Sequence, residues 1–195
     1  MKIGVLALQG GVIEHINHLK ALNCHAVEVR KVEDLDDLDG IILPGGESTT
    51  MGKLLVNTGI LDKLRDKILK GLPVWGTCAG MILLAKNIED DDTRHLSVMD
   101  ITVRRNAYGS QLDSFETKKV IQEVSSEEIP LIFIRAPYIT KVEDTVRIMC
   151  KVDENIVAAK QANMLATSFH PELSESLIFH KYFIDFCKNF KMKSI

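Results

Sequence analysis

Three short apolar runs limit the architectures open to this chain. Residues 3–8 (IGVLAL), 40–43 (GIIL) and 73–76 (PVWG) carry no charged or polar side chain, and each runs into glycine. A strand with one wet face alternates polar and apolar residues, whereas an unbroken apolar strand is buried on both faces, as in a parallel sheet. Helical spacing follows these runs. Val12, Ile13, Ile16, Leu19 and Leu22 predict a helix over 12–23, and Gly59 and Gly71 bound another over 60–70. Ser48 stands where it would cap a helix through Met51 and Leu54. Residues 80–86 (GMILLAK) start a helix directly behind the third run. A short strand at 26–29 and a short helix or loop over 33–39 fill the first half. This β–α order implies parallel strands with helices on both faces.

The second half changes character. Residues 97–104 and 111–118 alternate, which predicts antiparallel strands joined by a turn over 106–110. Further strands are expected at 131–134, 146–150, 156–161 and 164–169, then an amphipathic helix over 175–190. With no repeat and no linker, the 195 residues are expected to form one α/β domain. Its mostly parallel central sheet carries helices on both faces and added antiparallel strands.

Composition narrows the function. At 46% hydrophobic and 26% charged, the chain is neither disordered, collagen-like nor a coiled coil. A net charge of −3 gives no basic footprint for nucleic acid. The longest charge-free stretch, 71–85, contains Pro73 and three glycines and is too short to span a membrane. The apolar start is too short for a secretory leader and runs into a helix pattern. Cys24, Cys78, Cys150 and Cys187 form no CxxC pair, so a disulfide framework is not expected. A reducing, cytoplasmic setting follows.

The sharpest motif is Gly76-Thr77-Cys78-Ala79-Gly80, with an apolar strand before it and an apolar helix after. This is the nucleophile-elbow pattern with cysteine in place of serine. A strand that turns at once into a helix crowds the nucleophile's neighbours, so they must be small. The helix N-terminus beneath the thiol favours its charged form. His170-Pro171-Glu172 follows another apolar strand, and side chains two apart there can face one way, the imidazole toward the sulfur and Glu172 toward its other nitrogen. Read singly, Cys78 fits a nucleophile better than a buried turn cysteine, whereas His170 fits a surface histidine; taken together, they fit a triad. The acid follows the histidine, unlike the α/β-hydrolase order.

The loop Leu43-Pro44-Gly45-Gly46-Glu47-Ser48 fails the phosphate-loop test, with one residue too many before Gly52-Lys53 and Leu54 where serine or threonine should stand. It is better read as backbone N–H groups aimed at an oxyanion. No dinucleotide fingerprint follows the first strand. His15 and His18 lie one turn apart with Cys24-His25 beyond, but no carboxylate or second cysteine has zinc-ligand spacing. Asp90–Asp92 lacks calcium-loop spacing. Arg104, Arg105 and Arg135 are candidates for pairing with a substrate carboxylate.

GTCAG with a distant HPE resembles the class I triad glutamine amidotransferases. LALQG at 6–10, LPGGESTTM at 43–51, RNAYGSQLDSFE at 105–116, FIRAP at 133–137 and VAAKQ…FHPEL at 157–173 are similar to the glutaminase subunits of pyridoxal 5'-phosphate synthases. That resemblance implies hydrolysis of L-glutamine to glutamate and ammonia. The ammonia passes to a synthase subunit that makes pyridoxal 5'-phosphate from ribose 5-phosphate and glyceraldehyde 3-phosphate. It implies Cys78 as nucleophile, His170 as acid and base, and Glu172 as its orienter. It implies backbone N–H groups of Gly46 and Ala79 as an oxyanion hole. Gly46, Glu47, Ser48, Arg105, Ile134 and Arg135 would bind glutamine. No cofactor or metal is implied. Alternatives are a glutaminase of another channelling complex such as imidazole glycerol phosphate synthase, a related cysteine hydrolase with another substrate, and a non-catalytic binding module.

Overall fold

The computed structural model describes residues 1–105 and 114–193. The turn expected over 106–110, and the 106–113 part of the 105–116 block, lie outside the described residues. A sheet of ten strands separates two hydrophobic cores. Its parallel half runs β2 (His25–Val29), β1 (Lys2–Leu6), β3 (Gly40–Leu43), β4 (Val74–Thr77) and β12 (Met164–Thr167). β1, β3, β4 and β12 bury both faces, as their apolar runs require, while the edge strand β2 leaves His25 and Glu28 exposed. In β3, Ile41 and Leu43 enter one core and Ile42 the other; in β4, Val74 and Trp75 divide the same way. The first core is covered by α2 (Ser48–Asn57), α3 (Ile60–Leu69) and α4 (Ala79–Leu84). The second is covered by α1 (Val12–Ala21), α5 (Ile178–Lys193) and a two-stranded sheet of β7 (Ser114–Val120) and β8 (Glu128–Ile134).

Beyond β12 the sheet turns antiparallel through β11 (Asn155–Gln161), β9 (Tyr138–Val142) and β6 (Met99–Arg104), with β10 (Arg147–Val152) also on β11. The edge strand β5 (Ala85–Ile88) pairs parallel with β6. Two expectations are corrected here. The 97–104 strand does not form a hairpin with the next one: β6 lies between β5 and β9, and β7 pairs with β8 in the separate sheet. The helix expected over 80–86 stops at Leu84, because Ala85 starts β5 opposite Met99. Pairing across the sheet overrides the helix preference of Ala85 and Lys86. β9 was not foreseen, since YITKV is short and half polar.

The parallel half positions the site. β1, β3, β4 and β12 are consecutive neighbours, and their carboxyl ends carry Gln9–Gly11, Gly45–Ser48, Cys78 and His170–Glu172. The connection from β1 runs to β2 on one side and that from β3 to β4 on the other, so a switch point, where open α/β sheets place ligands, lies between β1 and β3.

β4 passes into α4 with only Cys78 between them. The contact leaves no room for side chains. A Cβ on Gly76 would lie 2.4 Å from the Gly80 carbonyl oxygen, and one on Gly80 would lie 2.0 Å from that of Leu43. Alanine usually exceeds glycine inside a helix by about 0.5–1 kcal/mol. At Gly80 the sign should reverse, because overpacking against backbone costs about 1–3 kcal/mol. Gly80→Ala should lower the urea unfolding midpoint with an unchanged slope; an equal or higher midpoint would contradict the close approach.

Candidate active site

Cys78 occupies φ 48°, ψ −105°, a conformation that side chains other than glycine adopt only when their surroundings enforce it. The enforcement is visible. Its N–H donates to Thr167 O at 2.7 Å, tying the turn to β12, and its own carbonyl accepts from Met81 N at 3.1 Å. The residue is 7% exposed.

His170 leaves β12 and meets both partners expected of it. Its Nδ1 lies 2.7 Å from Glu172 Oε1, and a second side-chain hydrogen bond links it to Cys78. Glu172 sits on a 3-10 turn, Pro171–Leu173, where Pro171 sets the backbone between the two side chains. Burial works against a charged His170, but the hydrogen bonds and charges of Cys78 and Glu172 outweigh it and push its pKa up to about 10. A cysteine within reach of a histidine that is in turn oriented by a carboxylate is the arrangement of a nucleophile paired with its base.

The rim loops close on this line of groups. A Cβ on Gly45 would lie 2.3 Å from His170 Cε1, and one on Gly10 would lie 1.7 Å from Gly45 O. Gly10 also has φ +99°. Gly11 N–H donates to Gly45 O at 3.2 Å, and Glu47 N–H to Gln9 Oε1 at 2.8 Å, so the β1 and β3 loops are stitched together.

The cap of α2 is Glu47, not Ser48 as expected. Its carboxylate accepts from Thr49 N and Thr50 N at 2.9 and 2.7 Å. Thr50 is the main cause of its pKa falling to about 2, with Thr49 adding to it against some desolvation. A carboxylate at the second loop position reaches two orphan N–H groups that a shorter serine would reach singly. Ser48 is thereby left buried in the first turn, facing the cavity.

A cavity of about 500 Å³ opens at this rim. Cys78, His170, Glu172, Gly46, Ala79, Glu47, Ser48, Arg105, Ile134 and Arg135 all line it, joined by Gln9, Glu14, Ile82, Pro137 and Leu173. Arg105 is steadied by Asp91 Oδ2 at 2.7 Å and Thr49 Oγ1 at 3.3 Å. Arg135 has φ +41°, so the chain turns sharply after β8 where it borders the cavity. Arg104 lies outside it, paired with Glu89 and Tyr138. The zinc cluster considered around His15 and His18 takes another form: both face His180 of α5, and Cys24 bonds instead to Met1 O. His180 lies 165 residues from His15, and no local pattern could have joined them.

Comparison with known proteins points to one family. Residues 5–189 match the SNO glutamine amidotransferase family. A Clostridium beijerinckii protein named pyridoxal 5'-phosphate synthase subunit PdxT is 60% identical over 94% of this chain and 97% of its own. The Clostridium acetobutylicum protein of that name is 58% identical over 94% and 99%. A crystal structure described as a glutamine amidotransferase superposes with TM-score 0.91 at 41% identity, covering 95% of this chain and 98% of the other. The parallel sheet with added antiparallel strands is thus the fold of these amidotransferases.

Buried histidines set the acid side of stability. His15 and His180 are fully buried and held neutral, burial being the main cause for both; His180 falls to about 3. The unfolded chain protonates both near the ordinary value of about 6.5. Below that pH the unfolded state binds more protons, and stability falls. His18 and His95 are lowered too, chiefly by burial, and add to the loss. His170, raised to about 10, has the opposite sign: its contribution is complete below the unfolded value and fades as pH climbs through about 10. Stability should fall by about 2–4 kcal/mol between about pH 7 and pH 5. Urea midpoints across that range read this directly, and a flat profile would contradict neutral buried histidines.

Proposed function

The chain belongs to the SNO glutamine amidotransferase family, and we propose that it is the glutaminase subunit of a pyridoxal 5'-phosphate synthase. The observation that carries this reading is the hydrogen-bonded line Cys78–His170–Glu172 at a strained turn, in a chain 60% identical to a relative bearing that subunit's name.

The reaction runs as thiol acyl transfer. The Cys78 sulfur attacks the side-chain amide carbon of L-glutamine, and the carbonyl oxygen becomes an oxyanion facing the N–H groups of Gly46 and Ala79. His170 gives its proton to the leaving nitrogen, ammonia departs, and a thioester remains on Cys78. His170 then takes a proton from water as that water attacks the thioester, and glutamate leaves. Glu172 keeps the ring oriented throughout. A 500 Å³ cavity suits an amino acid of this size. Arg105 faces the α-carboxylate, and Ile134, Arg135, Gly46, Glu47 and Ser48 complete the pocket, Glu47 through its backbone because its carboxylate is spent on the α2 cap. The ammonia passes to the synthase subunit, which uses it with ribose 5-phosphate and glyceraldehyde 3-phosphate. The whole chain serves as one glutaminase domain. Free cysteines at 24, 78, 150 and 187 support a reducing, cytoplasmic setting. Among the described residues no helix is long and apolar enough to cross a membrane.

The function is tested by glutamate release from glutamine, with the chain alone and with a pyridoxal 5'-phosphate synthase subunit. Release stimulated only by the synthase subunit of another pathway would overturn the assignment. Cys78→Ala should abolish release with the fold intact, and a glutamine-analogue electrophile should label Cys78 and none of Cys24, Cys150 or Cys187. Glu172→Gln should be slower but milder than His170→Asn, since an orienting group contributes less than a base. Full activity in Glu172→Gln would remove it from the triad.

Arg105→Ala should raise KM for glutamine roughly 10- to 100-fold, the equivalent of an Arg–carboxylate bond worth about 1.5–3 kcal/mol. An unchanged KM would move the α-carboxylate site elsewhere.

A further inference from the structure

A line of three histidines lies behind the triad, and the chemistry above makes no use of it. His15 of α1 and His180 of α5 are fully buried, with His15 Nδ1 2.8 Å from His180 Nε2. His180 Nδ1 lies 3.1 Å from Nδ1 of His18, the half-buried member of the line. At the inner end, His15 Nε2 is 3.5 Å from Glu172 Oε2 and 3.4 Å from Thr77 Oγ1. Glu172 Oε1 is already engaged by His170, while Glu172 Oε2 is buried with no hydrogen bond of its own among the described residues. A buried carboxylate oxygen left without a donor is costly, and His15 carries the ring nitrogen aimed at it.

Proton counting decides what His15 presents. Each nitrogen pair in the line can hold only one proton, so the neutral rings have two collective arrangements. In one, His18 donates to His180, His180 to His15, and His15 Nε2–H points at Glu172. In the other, every proton is reversed and a His15 lone pair faces the carboxylate. The second sets a lone pair against an anionic oxygen, so the first is favoured. His18, the half-buried outer member of the line, also hydrogen-bonds the Ser174 backbone. The groups facing His15 are His180 from α5, Glu172 and His170 from the rim, His18 on its own helix, and uncharged Thr77 and Trp75 from β4.

We propose that His15 is a positioning residue of the triad, held by His180 and His18 as the Nε2–H tautomer so that it fixes the second oxygen of Glu172. His15 does not touch glutamine. It acts through Glu172, which then presents one fixed oxygen to His170. The 3.5 Å separation should shorten once substrate is bound, as catalytic hydrogen bonds commonly do. This inference rests on Cys78, His170 and Glu172 being the glutaminase triad.

Three measurements test it. In the wild-type chain labelled with 15N-histidine, His15 should be the neutral Nε2–H tautomer between about pH 5.5 and 8; the Nδ1–H tautomer, or titration of His15 within that range, overturns the proposal. His15→Leu removes the donor, and His15→Gln restores an N–H near the same point. In complex with the synthase subunit, His15→Leu should lower kcat about 10- to 100-fold with KM within about 2-fold, and His15→Gln should recover most of the loss. Without glutamine, the pH of half-maximal iodoacetamide alkylation of Cys78 should rise by about half a unit or more in His15→Leu. It should return in His15→Gln. Equal losses in both variants with an unmoved alkylation curve would make His15 a packing residue only. A wild-type complex that releases no glutamate, with the alkylation shift still present, would sink the glutaminase reading and spare the positioning role.

Discussion

Everything at the rim depends on the direct contact of α4 with the two strands beneath it. Gly76 and Gly80 let the helix lie against its own strand and against Leu43 of β3, with no connecting loop to absorb the change of direction. The single residue between strand and helix must take it up, and that residue is Cys78 at positive φ. The strain is held by backbone bonds on both sides, from Thr167 of β12 and from the first turn of α4. The sulfur's position is therefore set by the sheet, not by a flexible loop. His170 shares the constraint, since its ring lies where a Gly45 side chain would be.

The same face of the sheet shows how a buried charge is accommodated. Glu172 is almost fully enclosed, and a layer of packed rings, Trp75, Phe179, His15 and His180, lies behind the triad. Trp75 stacks on Phe179 at 5.2 Å and donates its N–H to Thr167 Oγ1 at 3.0 Å. An all-apolar layer would offer Glu172 Oε2 no ring nitrogen, whereas here His15 Nε2 lies 3.5 Å from it. Histidine is the residue that can fill aromatic volume here and still offer a ring nitrogen. The cost is acid lability, because each neutral ring resists protonation that the unfolded chain accepts.

Local chemistry was legible where adjacent residues made it. The elbow is five consecutive residues, and HPE is three, so the Cys78, His170 and Glu172 set could be read from spacing and strand ends. The apolar runs 3–8, 40–43 and 73–76 announced the parallel sheet because burial on both faces leaves a mark on every residue. What could not be read were pairings made at long range. β6 joins β5 and β9 instead of β7, and no residue in β6 records that choice. The α2 cap passed from Ser48 to Glu47 because a carboxylate reaches two N–H groups, a preference that a single-position rule misses. His15 was visible as a histidine near another, but its meaning depends on His180, which a different helix brings to it. Glu47 was legible only as a position in a loop; its carboxylate caps α2.

These cases share a cause. The candidate site residues sit at strand ends, where the chain's own periodicity breaks and the break can be seen. Groups that support them sit inside helices, where a polar residue on an apolar face resembles an exception to the pattern. His15 follows Glu14 and precedes Ile16 in a regular helix, and nothing in that stretch separates a tolerated histidine from a necessary one. The distinction arises from what lies opposite. A lone buried imidazole facing aliphatic side chains would cost stability without return, whereas one bonded to a second imidazole and placed 3.5 Å from a carboxylate oxygen has a partner on each side. A buried polar residue in an otherwise apolar helix face is therefore best read against the rim residue that its turn of helix lies beneath, and for His15 that residue is Glu172.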